Sequence, residues 1–410
     1  MKILYVCHRV PYPPQRGGKI RPFNMISHFS QKHEVTVASL ARSSEEFDAS
    51  QGLREHCKEL ICERVTTLGA VARMLVRAPT RTPFSMGYFF SPVLKSRIAA
   101  AIQRERFDLI FVHCSSVAQY VCDVVGIPKI LDFGDMDSQK WLIYGQVRSF
   151  PMSLAYLLEG KKLEAEEKRL STLFDMNTCT TQEELATLRG FATGVESDWF
   201  PNGVDHDYFA PSAEPYDPDL ISFIGRMDYY PNQEAMFRFC KSTLPLIRER
   251  RPNARLTIIG ANPSAQVKQL GSLPGVTVTG SVPDVRPFVM RSAVNVAPLR
   301  IARGTQNKIL EAMAMGVPVV TSEVAARGVD AVPGQHLLCA STPMEECTAI
   351  VALLADPTKR AWLGDMGRTR VLSQHDWRAS MRRLDGIVER CLAGADNEQS
   401  KVRRSPALVR

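Results

Sequence analysis

The chain has 410 residues, a length that predicts two or three domains. Hydrophobic residues make up 45% and charged residues 23%, ordinary for a globular protein, and no apolar run approaches ~20 residues, so no membrane span is expected. The formal charge of +8 favours anionic partners, of which nucleic acid is the least favoured because no zinc-finger or RNA-recognition signature is present.

Lys2–Cys7 (KILYVC) reads as a buried strand, too short for the apolar core of a signal peptide. The loop HRVPYPPQRGGK follows, then an amphipathic helix to about Gln31 and a strand at 35–40 (VTVASL). Strand, Gly-containing loop, helix, strand is the start of a doubly wound sheet. Gly17 and Gly18 let a ligand approach the backbone, and Arg16, Lys19 and Arg21 supply charge. A lone Gly-Gly is more often just a turn. The loop is not GxGxxG, which disfavours a nicotinamide cofactor.

Residues 53–106 are basic. Val71, Met74, Leu75 and Ala78 make one helical face, with Arg73 and Arg77 on another. Phe84, Tyr88, Phe89 and Phe90 follow in a Pro-rich loop. This suits a membrane surface or a lipid-linked acceptor, but a packed helix with buried aromatics is the favoured reading. Residues 107–112 (FDLIFV) form a strand ending at His113, where open α/β sheets bind ligands. Residues 129–133 form another strand, leading into GDMDSQKW. Asp135 and Asp137 mimic a metal-binding Asp-x-Asp, a spacing that also occurs often by chance, and no other acidic residue is obviously recruited. A long charged helix spans 156–173, and 174–180 reads as the last strand of the first domain.

The boundary lies at 195–219, which contains PNGVDHDYF with a tight Asn-Gly turn. The first domain is expected over 1–198 and the second over 199–375. A strand at 220–224 is followed by Gly225 and Arg226, whose guanidinium can fork onto a diphosphate. Strands at 256–260, 276–280 and 293–297 alternate with helices. Helices fill the chain from 343. A final helix is expected over about 376–393, then a disordered basic tail at 394–410. The ten cysteines include no Cys-x-x-Cys and no Cys/His metal spacing, which fits a reduced cytoplasmic protein; Cys7, Cys114, Cys122 and Cys179 are expected core thiols.

Residues 298–321 (PLRIARGTQNKILEAMAMGVPVVT) carry the chemistry. They read as a loop, a helix at 306–315 capped by Thr305 and stopped by Gly316, and a strand at 317–321. Ile309, Leu310, Met313 and Ala314 form the apolar arc. Gly304, Asn307, Lys308, Glu311 and Met315 lie opposite. Lys308 in the first turn opposes the helix dipole by roughly 0.3–1 kcal/mol, a cost that an anion at the helix N-terminus would reverse. Glu311 could accept hydrogen bonds from a ribose diol. An ordinary surface helix with an i,i+3 Lys–Glu pair is an equal reading.

PNGVD, IGRMDYYPN and GTQNKILEAMAMGVPVV together resemble the family 4 glycosyltransferases, and the resemblance covers the whole chain. It implies an α/β GT-B fold: two Rossmann-like domains facing a cleft, with a C-terminal helix crossing back to the first. It implies retaining, metal-independent transfer from a nucleotide-diphosphate sugar to a saccharide or polyprenyl-linked acceptor. His113, Arg226, Lys308 and Glu311 become catalytic candidates. Gly17, Gly18, Val282, Arg303, Gly304 and Thr305 join Arg226, Lys308 and Glu311 in donor binding. The family's Glu-x7-Glu pair keeps only its second member, Glu311; Arg303 replaces the first. A Lys expected after Arg226 is also missing, so Lys308, with Arg303, is inferred to supply that charge. The wording is most similar to exosortase (PEP-CTERM)-associated transferases of exopolysaccharide clusters, which implies peripheral contact with the cytoplasmic face of the inner membrane. A non-catalytic nucleotide-sugar-binding scaffold and a sugar-nucleotide epimerase are the alternative readings.

Overall fold

The computed structural model describes residues 1–14, 17–77, 79–191 and 193–404. Arg16, Ala78 and the end of the expected basic tail, 405–410, lie outside the described residues. The chain divides into two units: Met1–Phe200 with Met381–Arg410, and Pro201–Ser380.

The strands of unit 1 are β1 (Lys2–Cys7), β2 (Glu34–Ala41), β3 (Glu59–Arg64), β4 (Leu109–His113), β5 (Lys129–Asp132), β6 (Met176–Cys179) and β7 (Ser197–Trp199). They form one parallel sheet in the order β3-β2-β1-β4-β5-β6-β7. Helices cover both faces, which is why β1 is an unbroken apolar run; Ile3 to Cys7 are fully buried. Tyr5 stacks on Phe111 of the neighbouring strand at 5.4 Å between centroids. The strand at 174–180, expected to be last, is next to last. Ser197–Trp199 adds the edge strand, too short and polar to register as periodicity.

Unit 2 contains β8 (Asp217–Ile224), β9 (Arg255–Ile259), β10 (Val276–Gly280), β11 (Ser292–Ala297), β12 (Val319–Thr321) and β13 (Leu338–Cys339), parallel in the order β10-β9-β8-β11-β12-β13. Both sheets run outward from their first strand, then jump to its other side. The order reverses between β1 and β4 in unit 1, and between β8 and β11 in unit 2. In such sheets ligands bind beyond the carboxyl ends of the strands at the reversal.

The last helix, Trp377–Arg404, starts in unit 2 and belongs to unit 1 from Met381. It continues past the expected end near 393, because Ala, Glu, Gln and Lys after Gly394 are helix formers. Its Arg383 and Arg390 reach the edge strand of unit 1, donating to Asp198. No described helix is long and apolar enough to cross a membrane. All ten cysteines are free thiols; Cys7 and Cys179 are buried, whereas Cys114 and Cys122 are only partly so.

Candidate active site

In unit 2, β8 ends at Ile224 and hands the chain to Gly225 and Arg226. β11 ends at Ala297 and leads through 298–306 into helix Asn307–Ala314. The reversal therefore brings Arg226 and Lys308 to one edge of the sheet. Lys308 Nζ donates to Asn232 Oδ1, and Asn232 Nδ2 donates to the carbonyl of Arg226 at 2.8 Å. The ammonium also sits 4.8 Å above the Phe223 ring. Gly225 is required here: a Cβ would lie 2.6 Å from the Asn232 amide nitrogen and 3.1 Å from Lys308 Nζ.

Burial pushes the Lys308 ammonium down to about 7, with Glu311 acting against the shift. Burial pushes the Glu311 carboxyl up to about 7, with Lys308 acting against it. The two groups thus share one environment that disfavours charge, and an anion entering it would find a cation lacking full solvation. Arg226 pairs with Asp228, Nε to Oδ1 at 3.0 Å, in an exposed contact worth about 0–1 kcal/mol. That pair can be exchanged for a phosphate at little cost.

The helix itself departs from expectation at both ends. Gln306, not Thr305, is the N-cap. Its carbonyl accepts the first helical bond, from Ile309 at 2.9 Å, and its side-chain amide donates to the carbonyl of Arg303 at 3.1 Å. It makes no side-chain bond to the helix amides, and the helix starts one residue later than expected. At the other end Met315 is buried, not on the polar arc. Gly316 takes φ +72°, its N–H bonds to Met313 and that of Val317 to Ala312, the paired closure of a Schellman motif. Gly304 has φ +62°. The Ser281–Asp284 loop follows β10. Val282 packs against the core of unit 2, and Asp284 accepts from the Arg286 guanidinium.

In unit 1 the reversal lies between β1 and β4, and Cys7 is in register with His113. His113 Nδ1 bonds to Asp132 Oδ2 at 2.8 Å. Asp132 also takes both arms of Arg21, at 3.0 and 2.9 Å, and the Thr178 hydroxyl at 2.9 Å. Burial alone would raise this carboxyl, but Arg21 and His113 hold it well below the usual range. An ionised carboxylate only accepts, so His113 Nδ1 carries a proton and donates to it. Arg21 Nη1 also donates to the Phe200 carbonyl at 2.9 Å, and the guanidinium lies 3.6 Å from that ring. His8, just after β1, stands 5.9 Å from His113, and burial pushes its imidazole down to about 3. His8, His113 and Cys114 bring their ligand atoms within 4.8 Å of one another.

Residues 218–356 match the family described as Glycosyl transferases group 1. The match lies within unit 2, which is similar to group 1 glycosyltransferases over those residues. Lys308, Glu311, Arg226, Val282 and Arg303 all fall inside it. Two curated relatives were found. One is the GDP-mannose-dependent monoacylated alpha-(1-6)-phosphatidylinositol monomannoside mannosyltransferase of Corynebacterium glutamicum, 24% identical over 54% of this chain and 64% of its own. The other is the GDP-mannose-dependent alpha-(1-6)-phosphatidylinositol monomannoside mannosyltransferase of Mycolicibacterium smegmatis, 29% identical over 51% and 59%. The chain therefore spans less than two thirds of either relative. Among solved structures, sucrose-phosphate synthase from Thermosynechococcus elongatus superposes with a TM-score of 0.72 at 17% identity, over 96% of this chain and 100% of its own. That likeness shows the fold, GT-B.

Of the residues singled out from sequence, unit 2 brings Arg226 and Lys308 to one sheet edge, with Glu311 a turn further along the helix. His113 lies at the reversal of unit 1. Gly17 and Gly18 open helix Gly17–Ser30 instead of sitting in a loop, since Lys19 and the residues after it continue the helix directly. Lys19 and Arg21 do not supply open charge. Lys19 Nζ bonds to the Tyr12 carbonyl at 3.0 Å, and Arg21 is taken by Asp132. Asp135 accepts from the Thr180 hydroxyl at 2.7 Å, and Asp137 begins helix Asp137–Val147 and pairs with Lys140. Sequence reasoning missed Asn232 and Asp132. The signal for Asp132 was present: an acidic residue closing an apolar parallel strand, where ligands bind.

Proposed function

We propose that the chain transfers a sugar from a nucleoside-diphosphate sugar to a lipid-borne saccharide, with retention at the anomeric carbon. The observation that carries this is the Arg226–Asn232–Lys308 chain at the β8/β11 reversal, inside the residues matched to group 1 glycosyltransferases. Lys308 and the first amides of helix Asn307–Ala314 hold the diphosphate, where a helix N-terminus and an ammonium converge. Glu311, one turn deeper, accepts from the ribose hydroxyls. Arg226 leaves Asp228 for the diphosphate as negative charge develops on it. In unit 1, His113, aligned by Asp132, offers its ring to a sugar hydroxyl at the β1/β4 reversal.

In the reaction the bond from the anomeric carbon to the diphosphate oxygen breaks. The acceptor oxygen attacks the same face. Its proton passes to the departing phosphate. The protein's share is positioning and stabilisation of the leaving group. The names of both relatives make GDP-mannose the first donor to test and a phospholipid-borne mannoside the first acceptor. A role in exopolysaccharide assembly rests on the sequence resemblance alone. The test is nucleotide release by purified protein offered GDP-mannose, UDP-glucose or a dTDP-sugar, with and without lipid-linked acceptors. Acceptor-dependent release with a new glycolipid supports the reading. Donor binding with no release under any acceptor condition overturns it.

A further inference from the structure

Two apolar stretches of unit 1 lie open to solvent. Helix Thr67–Arg77 buries only Ala70 and exposes Leu68 (87%), Leu75 (69%) and Val76 (76%). The turn joining helices Asp137–Val147 and Met152–Leu170 exposes Phe150 (79%), with Val147, Met152 and Leu154 beside it. Single exposed apolar residues are ordinary, but runs of large ones on adjoining elements mark an interaction surface.

The two stretches belong to one framework. The short helix Phe84–Tyr88, expected to be loop, packs against the first: a Cβ on its Gly87 would lie 3.4 Å from the Arg73 carbonyl. Its opening amides, Phe84 and Ser85, donate at 2.6 and 2.9 Å to Glu159 of the second. The same framework is fixed to the segment after His113. Gln119 donates to the Met86 carbonyl at 2.8 Å, and the Tyr120 hydroxyl to that of Phe89 at 2.7 Å.

The charge along these stretches is positive. Residues 64–81 hold four basic side chains, Arg64, Arg73, Arg77 and Arg81, and no acidic one, and 141–158 hold Arg148 and no acidic one. Farther along, Arg97, Arg104 and Lys140 are paired with Glu63, Glu59 and Asp137. Glu159 is turned inward onto the two amides. Exposed apolar side chains beside Arg64, Arg73, Arg77, Arg81 and Arg148 fit the boundary of an anionic bilayer, which solvates the first and attracts the second.

We propose that helix Thr67–Arg77 and the 147–154 turn form a docking surface that seats unit 1 on a bilayer containing anionic phospholipids. This deepens the reading of a lipid-borne acceptor and rests on it only for what the bilayer delivers. The surface is fixed to the His113 segment, so an acceptor sugar projecting from the membrane is held near the edge of the sheet.

The test is co-sedimentation of the full chain with vesicles of phosphatidylcholine alone, or mixed with phosphatidylglycerol. Neither donor nor acceptor is needed, so failure here is distinguishable from failure of sugar transfer. The expected result is partition onto the phosphatidylglycerol vesicles that weakens with salt. The paired variants Phe150→Ser with Leu154→Ser, and Leu68→Ser with Leu75→Ser, should each lose about tenfold or more in partition. Arg64→Gln with Arg81→Gln should lose chiefly the salt-sensitive part. All six positions are exposed, so folding is retained, and melting temperature checks this. No partition onto anionic vesicles, or equal partition of wild type and variants, overturns the proposal. Self-association that the serine variants abolish, without vesicle binding, assigns the surface to a second copy and also overturns it.

Discussion

Replacing Lys308 by Met separates the binding role of its ammonium from its packing. Met keeps an unbranched stem over the Phe223 ring, where sulfur is tolerated. In the resting protein the substitution leaves Asn232 Oδ1 without its donor, a cost of about 0.5–1.5 kcal/mol. It also removes an amine whose charged form burial disfavours, so the two effects oppose and the melting temperature should barely move. With diphosphate bound, the lost contact is a charge-assisted one, worth about 1.5–3 kcal/mol. That converts to about ten- to hundredfold in Kd. Titration calorimetry with a nucleoside diphosphate and with the bare nucleoside reads the difference directly. Only the diphosphate should weaken. Equal loss for both ligands, or none for the diphosphate, refutes a phosphate role for Lys308.

Diphosphate affinity should fall as pH rises above about 7, by at most ~tenfold per pH unit, because burial pushes Lys308 down to about 7 and a bound anion draws its proton back. Glu311, pushed up to about 7, ionises over the same range and softens the slope; Lys308→Arg should flatten it, and a flat wild-type profile counts against the assignment. Asp132→Asn leaves the buried Arg21 guanidinium facing a neutral amide and should cost about 3–5 kcal/mol in urea unfolding, against about 1 kcal/mol for Thr178→Val; similar costs for both would mean that the charge contributes little. Gly260→Ala would set a Cβ 1.8 Å from the Gly225 carbonyl oxygen, so the turn before Arg226 must shift, with about 1–3 kcal/mol of stability lost; an unchanged melting curve and donor affinity would show that the turn is free to move. Arg303→Ala should weaken donor binding, and unchanged rate and donor choice would dismiss Arg303 from the site.

Local signals carried most of the fold. β1 is legible because five consecutive buried residues alternate nothing and admit no polar break. Helix Asn307–Ala314 is legible because its apolar arc and Gly316 stop are both local. The buried trio around Asp132 was not legible, since Arg21 lies 111 residues away and only the parallel register of β1, β4 and β5 brings the partners together. Asn232 was passed over for a related reason. Its position read as the site of an absent lysine, whereas the structure uses it to tie Lys308 to the Arg226 carbonyl. Lys19 and Arg21 misled because a basic residue beside glycines looks like a ligand contact, and only burial shows that each is spent on an internal partner.

The double crossing of the chain between units sets an order of events during synthesis. Unit 2 is one continuous block, whereas unit 1 is assembled from two separate segments, Met1–Phe200 and Met381–Arg410. The two crossing points are bound together, with the Val204 amide donating to His375 at 2.8 Å and Gly203 so close to Trp377 that a Cβ would lie 2.6 Å from its ring. A nascent chain can therefore finish the second sheet while the first still waits for the arginines that clamp its outermost strand. Until helix Trp377–Arg404 is synthesised, the edge strand of unit 1 lacks the arginines that hold Asp198.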